Sequence, residues 1–264
     1  MSTGLRAHAA LRLAGDDAAL REEWAIVETP VALLYNGLSF AVMMATPTDL
    51  EDFALGFALG EGIVERAEEF ALVDIVRNDR GVALHAAIPQ ARFDALEGRR
   101  RNLEGRSGCG LCGIESLEAA LRPLPQAGRG PRIAPSRILA AFEALAHAQP
   151  LNDRCGGAHA AAFVGDEKLF VREDVGRHNA VDKAIGARHR AMSTPAADDG
   201  FLAVTSRASY EIVAKAARAG IAVVATLSAP TDLAIRTAEA ANLTLVAFVR
   251  DGRMNVYSGR ERIA

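Results

Sequence analysis

Residues 202–249 read LAVTSRASYEIVAKAARAGIAVVATLSAPTDLAIRTAEAANLTLVAFV. Short segments rich in β-branched and other apolar residues alternate in this stretch with longer segments of helical periodicity. The strand-like segments are 202–205, 221–226 and 243–249, and the helical segments between them are 209–219 and 231–241. Because alternating strands and helices pack as layers, this stretch predicts an α/β fold with a layered sheet.

The alternation extends back to residue 134. A helix is predicted to begin at Pro135-Ser136 and to run to about His147. Two strands, at 160–164 and 169–172, follow around a turn at Gly165-Asp166, and a further helix is expected at 178–189. We therefore interpret residues 135–264 as a C-terminal α/β domain.

The first part of the chain predicts a smaller α+β unit. Its helix is expected to begin at Thr48 or Asp49, either of which could cap it, and to run to about Val64. Asn36-Gly37 lies between apolar runs and is a strong hairpin signal. The extended segments are expected at 24–27, 31–44, 72–77 and 82–87.

The flanks of this unit are less regular. Residues 1–22 have a mixed composition and are expected to be frayed at the start. Between about 98 and 134 the composition shifts to Arg, Gly and Pro, which is typical of a linker, with a short helix at 114–121. We therefore divide the chain into an N-terminal α+β domain (1–105), a linker with a CxxC loop (106–134) and the C-terminal domain.

Composition excludes several classes of protein. The net charge of -3 provides no basic field for nucleic acid, and no run of 18 apolar residues could span a bilayer. The N-terminus has acidic residues and no continuous apolar stretch, so we predict no signal peptide and a cytoplasmic location. Three cysteines, an odd number, do not form a disulfide framework and are typical of a reducing compartment.

The most reactive segment is RRRNLEGRSGCGLCG, residues 99–113, which carries Cys109 and Cys112 among arginines and glycines. Four arginines against one glutamate favour the thiolate, which is the nucleophilic form of cysteine. The glycines let another molecule approach either sulfur closely. On these residues alone, the pair could be half of a zinc site, a redox dithiol, a sulfur nucleophile or two thiols without chemistry.

Cys155 and His159 provide the main alternative to sulfur chemistry. With Cys109 and Cys112 they form a complete Cys3His set, which is a common zinc-binding combination. Taken separately, Cys155 is interpreted as a packing residue and His159 as a hydrogen-bonded histidine at a strand start. The zinc hypothesis therefore depends on all four side chains meeting in one place.

Polar residues are concentrated where predicted strands end. Such loops collect ligands in α/β sheets, and the following helix N-termini offer free N–H groups to anions. The candidate ligand-binding residues at the first loop are Asp174, Arg177, His178, Asn179 and Lys183, with a capping network as the alternative. Ser206 and Arg207, Ser228 to Thr231, and the segment 248–253 repeat this pattern. Together they predict one polar crevice for a nucleotide-like ligand.

Six motifs closely resemble the formate dehydrogenase accessory sulfurtransferases, the FdhD family of sulfur carriers, and the resemblance covers nearly the whole chain from about residue 25. The motifs are RNLEGRSGCGLCG (101–113), GGAHAAAF (156–163), EDVGRHNAVDKAIG (173–186), TSRASYEIVAKAARAGI (205–221), SAPTDLAIRTAE (228–239) and FVRDGRMNVYS (248–258).

The resemblance implies a cytoplasmic and usually dimeric protein with a cytidine-deaminase-like C-terminal part. It also implies that the chain accepts sulfur from a cysteine desulfurase as a persulfide. The sulfur would then pass to the molybdenum bis-molybdopterin guanine dinucleotide cofactor before that cofactor enters formate dehydrogenase. In this scheme the cofactor is a bound substrate, so no side chain of the protein need bind the metal.

The resemblance also assigns roles to residues. Cys109 matches the persulfide cysteine of the family, and Cys112 matches its partner in the CxxC pair. The family places cofactor contact at Phe248, Val249, Arg250, Asp251, Gly252 and Arg253. Together with the crevice prediction, this gives a cofactor-binding set that also includes His178, Asn179 and Arg207.

Two positions depart from known patterns. Residue 155 is cysteine where the family leads us to expect threonine, and His159 is followed by Ala160-Ala161 where deaminases need a catalytic glutamate. The sequence therefore does not favour deamination. A zinc-stabilised nucleotide-binding scaffold remains the alternative function, and a thioredoxin-like oxidoreductase is a third.

Overall fold

In the computed structural model of the protein, the described residues are 4–104, 123–166, 168–191 and 200–264. The strands are β1 (Leu5–Ala14), β2 (Asp17–Ile26), β3 (Thr29–Tyr35), β4 (Leu38–Ala45), β5 (Ala71–Asn78), β6 (Gly81–Ala87), β7 (His159–Gly165), β8 (Leu169–Asp174), β9 (Gly200–Val204), β10 (Val223–Thr226), β11 (Thr244–Arg250) and β12 (Arg253–Ser258). The α-helices are α1 (Leu50–Gly60), α2 (Gln90–Glu104), α3 (Pro135–Ala146), α4 (Asn152–Cys155), α5 (Arg177–Ala191), α6 (Tyr210–Arg218) and α7 (Asp232–Ala240).

The C-terminal part is built on a six-stranded sheet with the order β12-β11-β10-β9-β7-β8. Strands β9, β10 and β11 are parallel, and β7, β8 and β12 join them through antiparallel pairs. This confirms the α/β class predicted from residues 202–249. The central strands are buried along their whole length because helices cover both faces of the sheet.

Alternate residues of each strand belong to different cores. On β7, Ala161 and Phe163 face a large core that contains α1, α5, α6 and α7. Ala160 and Ala162, between them in sequence, face a smaller core formed with α3. Since neighbouring side chains of a strand point to opposite faces, the sheet is the middle layer of three.

The N-terminal part contains a four-stranded sheet with the order β4-β3-β6-β5, in which β3 and β6 are parallel. The hairpin predicted at Asn36-Gly37 joins β3 to β4, and both residues have positive φ, as a type I′ turn requires. Val31 and Leu33 on β3 are buried in the large core.

Helix α1 joins the two sheets. All but one of its residues are buried, and it packs against α5 of the C-terminal part as well as against β5 and β6. A single hydrophobic core therefore runs through both parts of the chain. The division into domains at 1–105, 106–134 and 135–264 stays a prediction, as does the likeness of the C-terminal part to cytidine deaminases.

Three local predictions were wrong. Residues 5–26 form the β1–β2 hairpin, with twenty paired residues, and are not a frayed end. The mixed composition of this segment gave no strand signal. Residues 90–104 form α2, although the arginines from 99 onward had indicated a linker. Asp49 precedes α1 with φ of 50° and makes no side-chain cap, and the helix ends at Gly60, before Val64. The predicted helix at 114–121 lies outside the described residues.

None of the helices in the described ranges is long and apolar enough to cross a membrane.

The contact between α1 and α5 predicts a stability effect. A Cβ atom added at Gly56 would overlap the backbone carbonyl oxygen of Asp182, so the two helix backbones meet without room for a side chain. We expect Gly56→Ala to lower the free energy of unfolding by about 3 kcal/mol or more, because an overpacked core must shift backbone. Urea denaturation followed by circular dichroism measures this change.

Gly98→Ala is the matched control, since Gly98 also lies in a helix but an added Cβ there meets no atom within 4 Å. It should leave stability unchanged or raise it by up to about 1 kcal/mol through helix propensity. Equal effects of the two substitutions would contradict the close-contact explanation.

Candidate functional site

One edge of the six-stranded sheet gathers the polar loops that the sequence singled out. The carboxyl ends of β8, β9, β10 and β11 lie at this edge, together with the amino ends of β7 and β12, because of the strand directions. The loops that follow these strands are 175–176, 205–209 and 227–231, and the turn at Asp251-Gly252 completes the edge. Ligands of α/β proteins bind at such an edge.

Backbone hydrogen bonds hold neighbouring loops together. The amide of Ala208 donates to the carbonyl of Ala229 at 3.2 Å, and the amide of Thr231 donates back to the carbonyl of Ala208 at 2.9 Å. The amide of Phe248 donates to the carbonyl of Ser228 at 3.3 Å. The loops after β9 and β10 and the part of β11 at Phe248 therefore form one continuous rim.

The loop after β8 is anchored by a fully buried ion pair. Lys183 Nζ lies 2.7 Å from Asp174 Oδ2, and neither side chain is exposed. Lys183 also donates to the carbonyl oxygens of Thr46 and Glu173, and the amide of Thr46 donates to Asp174 Oδ2. A lysine with these partners is a structural cation, which corrects our interpretation of Asp174 and Lys183 as ligand-gripping residues.

Asn179 belongs to the same network. Its amide nitrogen donates to the carbonyl of Met44 at 2.8 Å and to Asp174 Oδ1 at 3.0 Å, and the residue is buried. Both amide hydrogens are therefore used within the protein. Asp174, Asn179 and Lys183 therefore form the capping network that was the alternative interpretation. A contact of Asn179 with the cofactor stays a prediction, which this geometry does not favour.

His178 is oriented differently from these buried neighbours. Its Nε2 lies 2.7 Å from Glu211 Oε2 and 3.4 Å from Ser209 Oγ, both of which belong to the start of α6. Burial is the largest cause that lowers the pKa of His178, and Arg177 and Lys215 lower it further, while Glu211 raises it. Glu211 was not among the residues predicted from the sequence, where its position two residues after Ser209 is the only indication of a role.

His159 begins β7, and Cys155 ends the short helix α4 just before it in the sequence. His159 pairs with Asp174 across the β7–β8 ladder, and burial, followed by the charge of Arg177, lowers the pKa of its imidazole. Cys155 ends α4 and is partly buried, and its Sγ accepts a hydrogen bond from the amide of Gly157 at 3.3 Å.

Within the described ranges, no group of three or more His, Cys, Asp or Glu side chains is arranged to hold a metal ion. Cys109 and Cys112, the predicted catalytic residues, lie outside these ranges. The Cys3His hypothesis therefore stays open as a prediction, and so does the assignment of Cys109 and Cys112 as the reactive pair.

The rim of this edge is rich in arginine. Arg207 is exposed in the loop after β9, and Arg177 is half-buried at the start of α5. Neither forms a salt bridge with an acidic residue in the part of the chain that the structure describes. They differ in this respect from Arg172 and Arg190, which both bind Asp52 away from the rim.

The β11–β12 hairpin places two further arginines side by side. Arg250 and Arg253 are directly paired across the ladder, and both are exposed. The turn between them has φ of 53° at Asp251 and 70° at Gly252, as a two-residue type I′ turn requires. Like charges in directly paired positions repel each other, so an anion bound between them would stabilise the hairpin.

Phe248 and Val249 precede this turn in an irregular part of β11. The register with β12 shifts between Ala247 and Arg250, and Phe248 has φ of 57°, which is uncommon for a residue other than glycine. The bulge turns the half-buried Phe248 ring to within 5.7 Å of the Arg250 guanidinium, while Val249 is buried. A strained residue beside a charged rim is typical of a ligand-binding position.

A separate cavity of about 430 Å³ lies between Tyr210 at the start of α6, the length of α7 and the segment that begins at Pro123. Its lining includes Leu124, Tyr210 and Leu233, and it contains none of the predicted site residues.

The environment of His178 predicts a pH effect. Because burial and two nearby cations disfavour the imidazolium, we expect His178 to titrate below its ordinary pKa of 6.5 and to be neutral at pH 7. Its contribution to stability should therefore be complete above pH 6.5 and lost as the pH falls through the lowered pKa. NMR titration of the His178 ring measures this pKa directly.

Glu211→Gln should lower the pKa of His178 further, because it removes the carboxylate that favours the charged ring. Glu143→Gln, at an exposed position of α3, is the control and should leave the titration unchanged. A midpoint above 6.5, or a rise in Glu211→Gln, would contradict this description of the site.

Comparison with known proteins places the chain in a family. The model of the FdhD/NarQ family matches residues 26–264. A protein of Xanthomonas euvesicatoria named sulfur carrier protein FdhD is 50% identical over 252 residues, which cover 94% of this chain and 89% of that protein. A protein of the same name from Bordetella petrii is 45% identical over 259 residues, covering 97% and 92% of the two chains.

A solved structure agrees with these matches. The crystal structure of a protein from Desulfotalea psychrophila, described as a formate dehydrogenase accessory protein, superposes with a TM-score of 0.75. It is 26% identical in sequence, and the match covers 98% of this chain and 99% of that one. The chain therefore belongs to the FdhD/NarQ family.

Proposed function

We propose that this protein is a sulfur carrier that serves formate dehydrogenase. The main support for the proposal is that the chain belongs to the FdhD/NarQ family and has the Cys109–Cys112 pair in an arginine-rich segment. The relatives at 45% to 50% identity bear the name sulfur carrier protein FdhD. The donor in this proposal is a cysteine desulfurase, the compartment is the cytoplasm, and the acceptor is the molybdenum bis-molybdopterin guanine dinucleotide cofactor.

The first step loads sulfur onto the protein. Cys109 attacks as a thiolate, which the neighbouring arginines favour, and its target is the outer sulfur of the persulfide on the desulfurase. The sulfur–sulfur bond of the donor breaks, the desulfurase cysteine leaves as a thiolate, and a new persulfide forms on Cys109. No external oxidant or reductant is needed, because the transferred sulfur keeps its oxidation state.

The second step releases the sulfur to the substrate. The Cys112 thiolate attacks Sγ of Cys109, so that a disulfide forms between the two residues and the outer sulfur leaves as sulfide. The two thiols are oxidised, the transferred sulfur is reduced, and the sulfide becomes a ligand of the substrate's molybdenum. A thiol reductant then restores the pair.

The polar edge of the six-stranded sheet is suited to the anionic arms of that substrate. Arg207, Arg250 and Arg253 are exposed there without an acidic partner among the described residues, and Arg177 begins α5 at the same edge of the sheet, after β8. Guanidinium groups bind phosphate with paired, charge-assisted hydrogen bonds. The Phe248 ring and the uncharged His178 add an apolar surface and a hydrogen-bonding group for a guanosine diphosphate arm.

Sulfur loading can be tested by mass spectrometry of the intact protein. After incubation with a cysteine desulfurase and cysteine, the wild type should gain sulfur that a thiol reductant removes, and Cys109→Ala should gain none. Cys155→Ala is the matched control and should load like the wild type, because Cys155 lies outside the CxxC pair. An unchanged wild-type mass would contradict the proposal, and one tightly held zinc ion per chain would favour the zinc-stabilised scaffold instead.

Cofactor binding can be tested with guanosine diphosphate as a probe. Arg253→Ala should weaken its binding about tenfold, since one charge-assisted hydrogen bond contributes about 1.5 kcal/mol or more. Arg236→Ala, which removes an exposed arginine from α7, is the control and should bind like the wild type. Calorimetric titration gives both affinities, and equal affinities for the two variants would refute the assigned role of the hairpin.

A further inference from the structure

His178 stands between the starts of two helices at the polar edge of the six-stranded sheet. It is the second residue of α5, and its Nε2 lies 2.7 Å from Glu211 Oε2 and 3.4 Å from Ser209 Oγ. Ser209 and Glu211 flank the first residue of α6. The imidazole therefore joins the loop after β8 to the loop after β9, and 27% of the side chain is exposed.

The contact with Glu211 fixes which ring nitrogen of His178 carries the hydrogen. A carboxylate only accepts hydrogen bonds, so Nε2 is the donor, and Nδ1 of the neutral ring is an acceptor. Within the described residues Nδ1 has no hydrogen-bond partner, and it is not among the polar side-chain atoms that are fully buried without one. It is therefore an accessible acceptor that no described residue uses.

A second charged pair joins the same two helices one turn deeper. Asp182 and Lys215 lie four residues after His178 and Glu211, respectively, and Lys215 Nζ lies 2.9 Å from Asp182 Oδ1. Lys215 Nζ also lies 2.7 Å from Oε1 of Glu61, the residue directly after α1. Both members of the second pair are buried. Since residues four apart share one face of a helix, this pair holds α5 against α6 directly below the ring.

The surroundings of the ring keep it neutral. Burial is the largest cause that lowers the pKa of His178, and Arg177 of α5 and Lys215 of α6 lower it further, while Glu211 of α6 and Glu61 after α1 raise it. The net result is a lowered pKa, so the ring with a free acceptor is the form present at pH 7. Phosphate oxygens are themselves acceptors at this pH. The partner that suits Nδ1 is therefore a donor group.

We propose that His178 is a specificity-determining residue that recognises the nucleoside part of the ligand, because Nδ1 accepts a hydrogen bond from a ribose O–H or a guanine N–H. Glu211 is its positioning residue, since it dictates the tautomer. The arginines of the rim bind the phosphates, and His178 distinguishes a nucleotide from a simple polyphosphate. A site with an unused acceptor discriminates against ligands that lack the matching donor. The inference rests on the proposed function, which takes a guanosine diphosphate arm as part of the ligand.

Calorimetric titration with two probes, guanosine diphosphate and inorganic pyrophosphate, tests this assignment. His178→Phe keeps a flat ring without an acceptor, so it should bind guanosine diphosphate about fivefold more weakly than the wild type does. Its affinity for pyrophosphate should be unchanged. His178→Asn, whose amide oxygen can take the place of Nδ1, should bind guanosine diphosphate within about twofold of the wild type. Circular dichroism checks that both variants are folded.

Glu211→Gln tests the positioning role. A glutamine amide can donate as well as accept, so it no longer dictates the tautomer of His178. The nitrogen NMR shifts of the ring should change from those of a single Nε2–H form to those of a mixture, and guanosine diphosphate should bind about twofold more weakly. Glu143→Gln, at an exposed position of α3, is the control and should change neither.

Two analogues identify the source of the donor. The 2′-deoxy form of guanosine diphosphate lacks one ribose hydroxyl, and inosine diphosphate lacks the amino group of guanine. If Nδ1 binds one of these groups, the corresponding analogue should bind the wild type more weakly than guanosine diphosphate does, and this difference should disappear in His178→Phe.

Two results would overturn the inference and leave the proposed function intact. Equal weakening of both probes in His178→Phe would make His178 a phosphate ligand. Guanosine diphosphate binding that responds to Arg253→Ala but not to His178→Phe would show that the ring takes no part in recognition. A wild type that binds neither probe would instead refute the proposed cofactor site, and the inference with it.

Discussion

The crossing of α1 and α5 is the contact on which the arrangement of the two sheets depends. Gly56 and Gly186 let the helix backbones touch, because a side chain at either position would overlap a carbonyl oxygen of the other helix. Two salt bridges accompany this crossing: Lys183 of α5 pairs with Asp174 at the end of β8, and Arg190 of α5 pairs with Asp52 of α1. The N-terminal helix is thereby fixed against the helix that carries His178.

A network of buried charges lies next to the site. Asp174 accepts hydrogen bonds from the amides of Thr46 and Gly176, and Lys183 donates to the carbonyls of Thr46 and Glu173. A buried ion pair is tolerable only when its remaining donors and acceptors are satisfied in this way. The network therefore joins the end of β4 to the loop after β8.

The positive charge of the arginine rim agrees with the proposed chemistry, whose substrate is an anion. A rim of arginines is unfavourable by itself, as the direct pairing of Arg250 with Arg253 shows most clearly. An anionic guest with two phosphate-bearing arms would relieve this repulsion, and the same sign of charge around Cys109 would favour a thiolate. In the proposed function, sulfur transfer and cofactor binding would thus both use positive charge.

The amino-acid sequence by itself determined the α/β class, the Asn36-Gly37 hairpin and the family, because periodicity, turn chemistry and long motifs are local properties of the chain. It also placed the polar loops at strand ends, where they meet at one edge. Only the tertiary structure decided that Lys183 and Asn179 are internal partners of Asp174, since burial depends on which distant segments pack above them. Likewise, Glu211 becomes a partner of His178 through the packing of two helix starts that lie far apart in the sequence.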